Sequence, residues 1–110
     1  MPKKRLDVLL VERGLAESRA QAQALALVKP QFEAGRAEAP KGVVRDARVH
    51  ARVLREIAEA SQAWGAAVRG VVDSGLPGPK GNREFVLYLV HAERPELPAD
   101  LDRWISDAAG

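Results

Sequence analysis

With 110 residues, no cysteine and a formal net charge of +2, the chain has the length of one small domain that buries roughly two-thirds of its unfolded surface. Disulfides and thiolate metal sites are excluded, and a hydrophobic fraction of 46% argues for a packed core rather than disorder. The longest apolar run, Phe85 to Val90, falls far short of the roughly 20 residues of a membrane helix, so no membrane partner is expected. Lys3, Lys4 and Arg5 before LDVLLV mimic a signal peptide, but Asp7 and Glu12 interrupt its apolar region, which points to a cytoplasmic protein.

Charge is uneven. Residues 1–50 hold ten Lys/Arg against six Asp/Glu, and the remainder holds seven against nine. A basic N-terminal half suits a polyanion; a solvated basic tail is the plainer alternative.

In chain order, Leu6, Leu9 and Leu10 stand at helical spacing before Gly14, which predicts a short helix over 5–13 with a glycine C-cap. Ser18 with Gln21 is a capping-box pattern, so a second helix should begin at about residue 18 and end before Pro30. The stretch ALALV at 24–28 suits helix or strand. Asp46 is a good N-cap for a helix whose apolar stripe is Val49, Val53, Ile57, Ala60 and Trp64, ending at Gly65.

Strands are predicted over 67–72 and 83–91, the second apolar at consecutive positions, as in a strand covered on both faces. Between them DSGLPGPKGN, with its glycines and prolines, reads as an exposed loop without structure of its own. ERPELP, 93–98, is a linker, ADLDRWISDAA suits a short closing helix, and no internal repeat is visible. His50 falls on the polar side of the main helix and His91 at a strand end; with no Cys/His cluster beside them, both read as structural or surface residues and no metal is implied.

Two stretches look catalytic. LVKPQFEAGR, residues 27–36, delivers Lys29 to the end of an apolar run, and LPGPKGNREFVLYLV, residues 76–90, delivers Arg83 and Glu84 to the start of another. Taken singly, a lysine before proline is the first solvated residue of a strand end, and an Arg-Glu pair is an exposed edge pair. With KKRLDVLLVERGLAESRAQAQAL at the N-terminus, these stretches resemble the hemolysin A (TlyA) type ribosomal RNA 2'-O-methyltransferases, in which an S4 RNA-binding domain precedes an FtsJ-like methyltransferase domain. Nearly every residue from 3 to 90 finds a counterpart, but the middle of the family pattern does not, so the chain looks like an internally deleted relative.

The resemblance implies an α+β chain: a partial S4-like helical pair over 1–25, the C-terminal third of a Rossmann-like methyltransferase sheet over 26–92, and a linker with a short helix over 93–110. It places strand 83–91 antiparallel between 67–72 and 25–29, with helix 47–64 on one face. RNA contact falls to Lys3, Lys4, Arg5, Ser18 and Arg19, and no aromatic among residues 1–31 offers a base-stacking platform, so contact would follow shape and backbone. By its KPQFE context Lys29 matches the second lysine of the family's Lys-Asp-Lys-Glu tetrad, and by its NREF context Glu84 matches the glutamate. A lysine there would draw the proton from a ribose hydroxyl.

The methyl donor implied by the family is S-adenosylmethionine, yet the tetrad's first lysine, its aspartate and a glycine-rich donor fingerprint have no counterpart. Glycines 75, 78 and 81 lie between two strands among prolines and do not form one. The chain therefore reads as an RNA-binding, catalytically incomplete relative; a stand-alone S4-like RNA-binding module and a non-functional deletion product stay open beside it. Strand faces that lost their cover imply a homo-oligomer.

Overall fold

The computed structural model describes residues 23–110. The expected helix over 5–13, the start of the second helix, and Lys3, Lys4, Arg5, Ser18 and Arg19 lie outside the described residues. The ambiguous stretch at 24–28 is strand: β1 spans Gln23–Val28, and it is followed by α1 (Pro30–Glu33), α2 (Ala47–Ala63), β2 (Ala66–Pro77), β3 (Arg83–His91) and α3 (Leu101–Ala109), with short 3-10 turns at Arg36–Glu38, Pro40–Gly42 and Pro79–Gly81. The sheet order is β1-β3-β2, with β3 antiparallel to both neighbours. This is the α+β class and the strand order that the sequence implies.

Local chemistry sets the boundaries. Pro30 has no amide hydrogen for the ladder, so β1 stops and proline opens α1 at the position where its missing donor costs nothing. Asp46 caps α2 by accepting the Arg48 N–H at 2.8 Å. At the other end Gly65 takes φ 72, a left-handed conformation that lets the chain turn directly into β2.

The buried face of α2 is Val49, His50, Val53, Leu54, Ala58 and Ser61; Ile57, Ala60 and Trp64 of the expected stripe are only half-buried. His50 is a correction, since it is not on the polar side but 2% exposed. Its Nε2–H donates to the Val44 carbonyl at 3.0 Å, and its ring packs on Phe85 at 5.3 Å. The peptide oxygen supplies the partner that makes burial of this polar ring tolerable.

The second correction is the segment from Asp73. It is not a structureless loop: β2 continues to Pro77, where it pairs with Arg83 across irregularities between Val68 and Gly70 and between Asp73 and Pro77. Asp73 makes this possible by accepting the Gly75 N–H at 2.7 Å and Arg83 nitrogens at 2.7 and 3.0 Å. Those hydrogen bonds, the Gly75 N–H first and the guanidinium next, hold its carboxyl below the usual aspartate range. Arg83 also donates to the Ala108 and Ala109 carbonyls at 2.6 and 2.9 Å. It thus ties the C-terminal end of α3, where the helix dipole favours a cation, to the sheet.

Among the described residues, helices cover one face of the sheet. Phe85, Leu87 and Leu89 of β3 join Val28, Val68 and Val71 under the apolar sides of α2 and α3, among them Val53, Leu54, Leu101 and Ile105. On the opposite face, Leu27, Val86 and Val72 form one row across the three strands. Leu25 is 72% and Val72 57% exposed there.

His50 makes the fold acid-sensitive. Burial pushes its pKa down, and its Nδ1 is buried without a hydrogen-bond partner, so the proton enters the unfolded chain before the folded one. The contribution is complete above the ordinary histidine value near about 6.5 and is lost as pH falls from there through the depressed folded value. Denaturant titrations across this window should show a loss of stability on acidification that His50→Gln largely removes.

Candidate functional site

The antiparallel register that pairs Val28 with Phe85 continues to bring Lys29 opposite Glu84. The two residues share the parity of Leu25 and Leu27 on one strand and of Val86 and Tyr88 on the other, so their side chains leave from the end of the uncovered face. Lys29 Nζ stands 4.0 Å from Glu84 Oε2, with the side chains 42% and 13% exposed. The structure thus joins the two residues singled out in the KPQFE and NREF stretches, 55 positions apart in sequence. Arg83 does not enter this site, being committed to Asp73 and α3.

The pair is not a closed salt bridge. At 4.0 Å it is too long for a hydrogen bond, and Glu84 Oε2 is buried with no hydrogen-bond partner. The amide of Gln31 nearby in sequence is likewise buried without a partner at either Nε2 or Oε1. Phe32 is exposed, and Lys29 Nζ lies 6.0 Å from its ring centre, within cation–π range. A cation facing a desolvated carboxylate oxygen, both with unused hydrogen-bonding capacity, can receive a hydroxyl and polarise or accept its proton.

Gly78 closes the back of Glu84. A Cβ there would lie 2.8 Å from the Asn82 carbonyl and 3.0 Å from Glu84 Cγ, so only glycine lets the β2–β3 connection pass so close. Gly75 takes φ 74 inside β2, and Gly81 takes φ 81 in the following turn. These three glycines serve the connection between two antiparallel strands, β2 and β3.

Sequence reasoning passed over Lys41, Lys80 and Asn82. Pro40-Lys41-Gly42 and Pro79-Lys80-Gly81 make the same turn, with Lys41 at φ 56, ψ 26 and Lys80 at φ 58, ψ 22. A left-handed conformation costs about 1–2 kcal/mol for a residue with a Cβ. Buried Asn82 holds the first turn from the second: its Nδ2 donates to the Gly42 carbonyl at 2.9 Å, and its Oδ1 accepts the Val44 N–H at 3.0 Å. The repeated tripeptide Pro-Lys-Gly was the signal in the sequence.

No family model matches the chain. Over 66 residues it is 50% identical to the protein named "Putative rRNA methyltransferase YqxC" of Bacillus subtilis. Over 64 residues it is 47% identical to the 16S/23S rRNA (cytidine-2'-O)-methyltransferase TlyA of Mycobacterium tuberculosis. In sequence the chain is thus similar to a part of the TlyA-type rRNA methyltransferases. These matches cover 59% and 57% of this chain but only 24% of either relative. In three dimensions it superimposes on solved structures described as putative hemolysins. The Streptococcus thermophilus protein gives a TM-score of 0.73 at 32% identity, over 94% of this chain and 38% of that one. The Lactococcus lactis protein gives 0.72 at 27%, over 94% and 50%.

Gly78→Ala should destabilise the fold by about 1–3 kcal/mol, the range of an overpacking substitution, because the Asn82 backbone cannot move away. Gly35→Ala, whose added Cβ would find its nearest neighbour at 3.7 Å and without a positive φ, is the control and should be nearly neutral in urea unfolding. Equal effects from the two would show that the close approach at Gly78 carries no stability.

Proposed function

We propose that this chain is an RNA-binding protein of the TlyA-type family that joins a partial S4-like segment, residues 1–25, to the C-terminal part of an FtsJ-like methyltransferase sheet, residues 26–92. Residues 93–110 form a linker and closing helix. A large internal deletion relative to full-length members would account for a chain whose match spans 24% of its relatives while it carries both a basic N-terminal half and a strand-end Lys-Glu pair.

The observation that carries the reading is the apposition of Lys29 and Glu84 across the β1–β3 register. In this reading the two are the second lysine and the glutamate of the family's tetrad. Lys29 is placed to draw the proton from a ribose hydroxyl, and Glu84 to orient the lysine. They are half of a catalytic group, with no donor-binding turn beside them among the described residues, and in this reading the chain alone does not methylate. RNA is held by Lys3, Lys4, Arg5, Ser18 and Arg19, through phosphates rather than bases.

Calorimetry of the purified chain with S-adenosylmethionine should detect no saturable binding, and ribosomal RNA should gain no methyl group. Ribosomal RNA fragments should nevertheless bind with a steep salt dependence, and replacing any one of Lys3, Lys4, Arg5 or Arg19 should lower the log-log salt slope by about 1. Lys29→Ala and Glu84→Gln should leave that binding nearly unchanged. Saturable donor binding would overturn the catalytic half of the proposal, and RNA binding that ignores salt would overturn the other half.

The exposed Leu25, Leu27 and Val72 favour self-association through the uncovered face. Light scattering should give a mass above that of one chain, and Leu25→Lys with Val72→Lys should return it to the monomer. A wild-type chain that stays monomeric at high concentration refutes this.

A further inference from the structure

We infer that Lys41 and Lys80 form a phosphate-binding pair that grips the backbone of an RNA strand beside Lys29 and Glu84. The inference rests on the reading of the chain as RNA-binding and adds a second contact site to it, on the sheet rather than in the N-terminal segment.

Three observations converge. First, the two Pro-Lys-Gly turns are far apart in sequence but adjoin in space: Lys80 Nζ lies 3.4 Å from the Lys41 carbonyl oxygen and would stand 3.6 Å from a Cβ on Gly42. Buried Asn82, the residue after the second turn, hydrogen-bonds to the backbone that leaves the first. Second, each turn puts lysine where glycine or asparagine is the ordinary occupant, at φ 56 and φ 58. A chain indifferent to the side chain would relax these positions to glycine, and neither lysine is buried in a way that packing would explain. Strained backbone that fixes an exposed side chain is a mark of a functional position.

Third, both ammonium groups keep donors for a ligand. The arginines of α2 are all engaged: Arg48 with Asp46, Arg52 with Glu38 and Glu56, and Arg55 with Glu59 and Asp102. Lys41 and Lys80 have no carboxylate partner among the described residues, and the single weak bond from Lys80 to a carbonyl leaves it two further N–H donors. Two cations without a carboxylate partner on adjoining turns gain from an anion between them, which lowers their mutual repulsion. A phosphodiester fits both the charge and the two donor sets.

The site also sits where a substrate strand would run. Gly78, which donates its N–H to the Asn82 carbonyl at 2.8 Å and opens the second turn by accepting from Gly81 at 3.2 Å, packs directly against Glu84. A phosphate on the lysines would therefore bring a neighbouring nucleotide toward the strand ends that carry Lys29 and Glu84.

The test uses the full chain and a fluorescein-labelled RNA hairpin, with anisotropy measured across a salt series. Lys41→Gln and Lys80→Gln should each lower the log-log slope by about 1, and the double variant by about 2; Lys41→Arg with Lys80→Arg should keep it. Lys41→Gly with Lys80→Gly should unfold at the same or a higher temperature, because glycine relieves the left-handed backbone, and should still lose RNA affinity. A double glutamine variant that binds like wild type, while neutralising Lys3, Lys4, Arg5 and Arg19 weakens binding, would refute this site and leave the N-terminal one standing. Failure of the wild-type chain to bind RNA at all would overturn both.

Discussion

The placement of β3 between β1 and β2 in a single antiparallel register is the constraint on which the site depends. Because side chains alternate along a strand, a slip of one residue would turn Phe85, Leu87 and Leu89 out of the core. Burial of three such side chains is worth roughly 5 kcal/mol or more, whereas a partly exposed ion pair contributes about 0–1 kcal/mol. The Lys29–Glu84 apposition is therefore held by the core and not by its own attraction. That is why it can persist at 4.0 Å, with a buried carboxylate oxygen left unpartnered, instead of collapsing into a tight bridge.

The helices explain how so small a sheet stays folded with one face left bare by the described residues. α2 packs on the sheet over β2, and α3 lies on the same side against both. Its anchor is Arg83, which gathers the last carbonyls of α3 and the Asp73 carboxylate while its guanidinium lies 5.2 Å from the centre of the Phe85 ring. This one side chain links β2, β3 and α3. A lysine could not replace it, since a point charge lacks the planar fork that meets several acceptors at once. The NREF stretch thus divides its labour: Asn82 locks the turns, Arg83 locks the last helix, and Glu84 faces the site.

Much of this was legible. The order β1-β3-β2, the α2 start at Asp46 and the Lys29–Glu84 pairing all follow from strong local signals or from the family resemblance. The strand character of 24–28 was open because Ala and Leu report burial more than backbone, and pairing with β3 decided it. His50 was misplaced because a histidine scores as polar while its buried form depends on one carbonyl outside the helix, that of Val44. The extension of β2 to Pro77 was hidden for a similar reason. Gly75 and Pro77 break a strand by propensity, and the bonds that Asp73 accepts from Gly75 and, across the sheet, from Arg83 favour the extended path.

Formal charge is a poor guide to where this chain can meet a polyanion. Over residues 23–110 most arginines are spent internally, on carboxylates or on helix-end carbonyls, and an engaged guanidinium adds little to phosphate affinity because its partner must first be displaced. What counts is the cation held in place without a partner. By that measure the surface of α2, rich in arginine, is nearly neutral, while two lysines in strained turns stand out against it. The energy of that strain is drawn from the same core that fixes Lys29 and Glu84, so the geometry of the pair and the presentation of the lysines stand or fall with one sheet register.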